Sequence, residues 1–100
     1  MKSGLLALPF ALLASCVPAT KTAPVPDAGM AARSGSDSQT LQRGYGVYMA
    51  HCGRCHEHIL PADVSREDWH VVVPGMAWNA GIPKQDEKAL TAYLTAATRR

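Results

Sequence analysis

The stretch His51 to His58, HCGRCHEH, constrains what this chain can fold around more than any other. Cys52 and Cys55 are separated by Gly53 and Arg54, and His56 follows directly, so two thiols and an imidazole fall within five positions. Such a set can bind zinc, cycle between dithiol and disulfide, or attach a haem through both sulfurs. The occupant matters because only about sixty residues, Thr40 to Arg100, have the composition of a folded domain. A core of that size is marginal and usually recruits a metal, a disulfide or a cofactor.

The opening MKSGLLALPFALLASC has one cation at Lys2, an apolar run from Leu5 to Leu13, then small residues and Cys16. That is the layout of a secretory signal, and the run falls well short of the ~20 residues a membrane span needs. Leu13-Ala14-Ser15-Cys16 resembles a bacterial lipobox, which implies acylation of the Cys16 sulfur and cleavage just before it. Residues 1–15 are then a lipoprotein signal, and a diacylated Cys16 buries enough methylenes for firm anchoring, at about 0.8 kcal/mol each. Of the three cysteines this leaves Cys52 and Cys55 as a pair. In an oxidising compartment the pair closes into a disulfide unless something else consumes both thiols.

Residues 16–39 are rich in Pro, Ala, Thr, Ser and Gly and poor in large apolar side chains, which predicts a disordered tether with a reach of roughly 25 Å. Ten basic and eight acidic residues make no footprint for nucleic acid.

Residues 40–100 are predicted to be all-α. A first helix spans about Thr40 to His51, with Leu41, Tyr45, Tyr48 and Met49 at helical spacing. Gly44 and Gly46 weaken it by about 1 kcal/mol each, so a glycine there needs a reason, the usual one being close approach of another helix. A second runs from about Arg66 to Val73, started by Ser65 with Asp68 three residues on and ended or bent by Pro74-Gly75. A third spans Lys84 to Thr98, opened by Pro83 with Asp86 and Glu87 in its first turns and carrying a stripe of Leu90, Tyr93, Leu94 and Ala97.

Among the occupants of the motif, zinc would need Cys52 and Cys55 completed by His56 or His58 and by His70, and the second ligand pair of the usual structural zinc site is missing. A catalytic dithiol sits after a strand in a βαβ setting, which these residues do not have. C-x-x-C-H is the attachment signature of c-type haem, and export suits it.

With these residues in view, Thr40 to Thr98 resembles a minimal class I cytochrome c domain. The resemblance rests on Gly44 and Tyr48 ahead of Cys52, on the C-x-x-C-H motif, on Met76 downstream and on Tyr93-Leu94 in the last helix. It implies about three helices wrapped around one haem c, with Gly44 and Tyr48 crossing Tyr93 and Leu94. It implies thioethers at Cys52 and Cys55, and an iron held by His56 on one side and Met76 on the other, the latter carried on a loop before the final helix. A backbone carbonyl in the loop near Pro61 is expected to accept the His56 Nδ1–H bond. Trp69 and Trp78 are expected as walls of the haem pocket, and His51 and His58 as solvent-facing.

With both axial positions filled, the resemblance implies an electron carrier and not an enzyme. It would pass single electrons between periplasmic redox proteins, a dehydrogenase as donor or an oxidase or reductase as acceptor, as a monomer or a small subunit on the inner or outer membrane. A weaker likeness of the stretch Asp68 to Leu94 to cytochrome subunits of periplasmic dehydrogenases favours the dehydrogenase. If Met76 leaves the iron readily, the alternative is a haem-based ligand sensor or small-ligand binder.

Overall fold

The computed structural model describes residues 22–53 and 59–98. The signal segment, Cys16, Cys55, His56 and His58 lie outside the described residues. The fold is all-α, with helices α1 (Ala28–Ser34), α2 (Ser38–His51), α3 (Arg66–Ala80) and α4 (Lys84–Thr98) and a 3-10 turn at Pro61–Asp63. No strand occurs among the described residues.

Helix α4 is the centre of the bundle: α1, α2 and α3 all pack on it. It begins after Pro83, whose carbonyl accepts the Glu87 N–H at 2.8 Å, and places Asp86 and Glu87 in its first turn against the positive end of the helix dipole. Leu90, Tyr93 and Leu94 of its predicted stripe are fully buried, and Ala97 is half-buried. These side chains meet Leu41, Val47 and Tyr48 of α2 and Trp69, Val73 and Ala77 of α3 in one continuous core.

The α2–α4 crossing depends on Gly44. A Cβ at that position would collide with the Ala89 carbonyl oxygen and lie 2.7 Å from both the Ala89 carbonyl carbon and Tyr93 Cβ. Missing that carbon, the two backbones come close enough for Tyr93 to lie 5.5 Å from the Tyr45 ring and 5.7 Å from the Tyr48 ring, centroid to centroid. Gly46 has nothing within 4 Å of its Cβ position, so no helix approaches it and that part of the expectation does not hold. An exposed ion pair, Arg43 Nε to Asp86 at 2.7 Å, joins the same two helices and contributes at most about 1 kcal/mol.

Helix α3 departs from the sequence reading. Ser65 Oγ accepts the Asp68 N–H at 3.0 Å, as its capping position predicts, but the helix runs through Pro74-Gly75 to Ala80. A proline removes one hydrogen bond and crowds the preceding turn. Here Pro74 and His70, the residue whose carbonyl loses its helical donor, are both exposed, while Trp69, Val73 and Ala77 recur every four residues on the buried side. Packing on α4 outweighs the local signal. The helix stops at Gly81, whose φ of 70° places it in the left-handed region, and the Gly81 and Ile82 N–H groups return to the Trp78 and Ala77 carbonyls. Met76 is therefore carried on a helix and not on a loop.

Trp69 is buried and donates its indole N–H to the Pro61 carbonyl at 2.9 Å. The same oxygen accepts from Thr98 Oγ1 at 2.7 Å, which ties the 3-10 turn to the end of α4. Trp69→Phe keeps the packing and removes one of the three donors to this oxygen, the Val64 N–H at 3.4 Å being the third, so an expected loss of about 1 kcal/mol should appear in urea denaturation. A loss above about 3 kcal/mol would mean that the indole does more than this bond.

The segment read as a disordered tether is largely ordered from Thr22 onward. Asp27 caps α1 by accepting the Met30 N–H at 2.8 Å, Gly35 closes it with φ of 80°, and Met30 is 4% exposed in the core. A composition poor in large apolar residues hid a helix that needs only one of them, with small side chains, Ala31 within it and Ala23 ahead of it, packed against the core as well.

Candidate functional site

The last turn of α2 delivers the motif. Tyr48 accepts the Cys52 N–H on its backbone carbonyl at 3.1 Å, so Cys52 continues the helix as its C-cap. The Tyr48 hydroxyl donates to the Ile59 carbonyl at 2.9 Å. One residue thus holds both flanks of the segment that contains Cys55 and His56.

Beside this end of α2 lies a cavity of about 220 Å³, lined by His51, Cys52, Met76, Asn79, Ala80, Ile82 and Leu90. Each residue has a local reason to be there. His51 and Cys52 end α2; Met76, Asn79 and Ala80 share one face of α3; Ile82 is turned inward by the Gly81 C-cap; Leu90 comes from the stripe of α4. The lining is mostly apolar, with two sulfur-bearing side chains that are remote in sequence. Helix packing has brought Cys52 and Met76 to one pocket, and both are only partly exposed.

Other predicted positions fall elsewhere. Trp78 is not a pocket wall: it is 86% exposed on the outer side of α3. Trp69 is buried but committed to Pro61. The Pro61 carbonyl already accepts from the Trp69 indole, the Thr98 hydroxyl and the Val64 N–H, and His56, whose imidazole a carbonyl of this loop was expected to hold, lies outside the described residues. His51 was expected to face solvent, yet it lines the pocket, and its Nδ1 is buried with no hydrogen-bond partner among the described residues. The signal for this was present in the helical phase, since His51 follows Tyr48 and Val47 by one turn on their buried side. His70 is exposed on α3, and among the described residues no group of three His, Cys, Asp or Glu side chains gathers that could hold a metal ion.

The chemistry of these donors fits a c-type haem. Cys52 brings a thiol and Met76 a thioether to the lining of one mostly apolar pocket. Zinc takes thiolate, imidazole or carboxylate donors, four to a closed structural set, and the lining supplies only His51 and Cys52 of these types, whereas the Met76 thioether suits a softer, polarisable partner.

Burial pushes the Cys52 thiol up, so without an attached group it stays protonated and slow to react. Burial likewise raises the Tyr48 phenol, with smaller contributions from the charges of Cys52, Asp63 and Tyr45 when ionised, and raises Tyr93 strongly. A phenol that is harder to ionise in the folded state gives stability that is complete below its unfolded value of 10.0 and declines as pH rises through that value toward the folded one. The folded domain is thus expected to lose melting temperature above pH ~10, and a flat profile to about pH 12 would contradict the burial of these phenols.

Among the described residues no helix is long and apolar enough to cross a membrane. No family model, no curated protein and no solved structure matches the chain.

Proposed function

We propose that this protein is a lipid-anchored monohaem cytochrome c that carries single electrons between periplasmic redox partners. The observation that carries the reading is the pocket at the end of α2, whose mostly apolar lining includes both Cys52 of the C-x-x-C-H motif and Met76 of α3. The α2–α4 crossing at Gly44, Tyr48 and Tyr93 supports it, because the class I cytochrome c resemblance requires that crossing.

Cys52 and Cys55 would hold the haem by thioethers, and His56 and Met76 would ligate its iron. Bound there, the haem supplies a single iron that alternates between ferrous and ferric states. The buried side chains of Ile82 and Leu90 give the cleft an apolar wall, which would disfavour the more highly charged ferric form. Tyr48 keeps the segment carrying Cys55 and His56 closed at both ends, so little would move when charge changes. Partners would be redox proteins docking weakly on the exposed edge beside Cys52, with a dehydrogenase as the favoured donor.

A visible spectrum of the protein matured in a host that attaches c-type haem tests this. A methionine-to-ferric-iron band toward the red end is expected. Its absence in a protein that carries haem would point instead to an open or labile sixth position, the property of a ligand sensor.

A further inference from the structure

The N-terminal segment is latched to the domain at a point far closer to Cys16 than composition suggests. The Tyr93 hydroxyl donates to the Pro24 carbonyl at 2.8 Å, and the Gln42 side-chain amide reaches the Pro26 carbonyl at 3.4 Å. Pro26 is buried and Met30 is 4% exposed among the core side chains. Helix α1 packs on both α4 and α2, and its ends are closed by Asp27 and by Gly35. Tyr93 therefore serves twice, with its ring in the helix crossing and its hydroxyl on the incoming chain.

We propose that residues Pro24 to Ser34 form a strap that fastens the domain directly above the bilayer, so that its electron partners are proteins seated in or on the same membrane. This rests on the reading of Cys16 as the lipid-bearing residue. Eight peptide steps separate Cys16 from Pro24. Fully extended they span at most about 29 Å, roughly the width of a small domain. If the chain were loose as far as Thr40, twenty-four steps would allow up to about 86 Å. The strap removes two thirds of that reach. A soluble carrier would need no such restraint, and a partner protein whose redox centre stands well above the bilayer would lie out of range.

Hydrogen exchange on the mature protein tests the latch. The Ala31 and Gly35 amides, bonded to the Asp27 and Ala31 carbonyls, are expected to exchange at least about tenfold more slowly than in Met30→Asp, which places a charge in the core where the strap is seated. Tryptic cleavage after Arg33 should be slowed in parallel. Equal exchange and cleavage in the two proteins would overturn the strap. Should Met30→Asp unfold the whole domain, Asp27→Ala, which removes only the α1 cap, takes its place with the same expected direction.

Neutron reflectometry of the lipidated protein on a supported bilayer reads the reach. The wild-type layer should lie against the bilayer and the variant layer should stand farther out; identical profiles would overturn the proposal. Loss of the lipid, read by mass on the same sample, would defeat the Cys16 reading and the membrane placement with it, while the exchange data would still decide the latch. The visible spectrum reports the haem independently of both.

Discussion

Gly44→Ala should cost this small domain about 3 kcal/mol or more, while Gly46→Ala, two residues away on the same helix, should stabilise it by up to about 1 kcal/mol. The two substitutions add the same methyl group and the same helix propensity. They differ in surroundings. At Gly44 the new carbon meets the Ala89 backbone carbonyl and Tyr93 Cβ, neither of which can rotate away, so α2 and α4 must separate and uncover the Tyr45, Tyr48 and Tyr93 contacts. At Gly46 it meets nothing, and the gain comes from an unfolded chain with fewer conformations to lose. Urea midpoints for both variants check the pair. A Gly44→Ala variant as stable as the parent would mean that the helices do not cross at this point.

Met76→Ala should leave the fold nearly intact and change the chemistry of the site. The Met76 side chain is only partly buried, so truncation is expected to cost about 1 kcal/mol, below the range for a fully buried methionine. In the haem-loaded protein the ferrous iron should go from no detectable carbon monoxide binding to complete binding, with loss of the red band in the ferric spectrum. A parent protein that already binds carbon monoxide, or a variant that does not, would remove Met76 from the iron. Met49, half exposed on α2, is a suitable control because it does not line the pocket.

Helix α4 was readable from end to end. Pro83, the acidic first turn and the Leu90, Tyr93, Leu94 stripe all favour the same fifteen residues, and no competing signal interrupts them. The crossing at Gly44 was readable for a different reason, since a glycine in a helix demands an explanation and the resemblance to cytochromes c offered one. The full length of helix α3 is not legible locally, because Pro74-Gly75 is a strong local breaker. Its continuation is decided by Val73 and Ala77 packing on α4, a contact remote in sequence.

The same distinction separates the readable from the hidden parts of the site. Cys52 and Met76 were singled out by residue type, and their shared pocket follows from α3 remaining helical to Ala80. Trp78 was misplaced because an aromatic residue near a candidate ligand suggests a pocket wall, whereas the helical phase of α3 turns it outward. Helix α1 was missed although Asp27 and Gly35 bracket it with the right capping residues, since Met30 is its only large buried side chain. The Pro24 to Tyr93 bond that fixes this segment joins positions far apart in the chain and has no local signature.

Covalent attachment of a haem through Cys52 and Cys55, on which the proposed function stands, is read from the mass of the denatured chain after expression with a c-type haem maturation system. One haem per chain should be retained under denaturing conditions, and it should be lost when Cys52 and Cys55 are both replaced by serine. A denatured chain that carries no haem, or that shows a Cys52–Cys55 disulfide in its place, would contradict it.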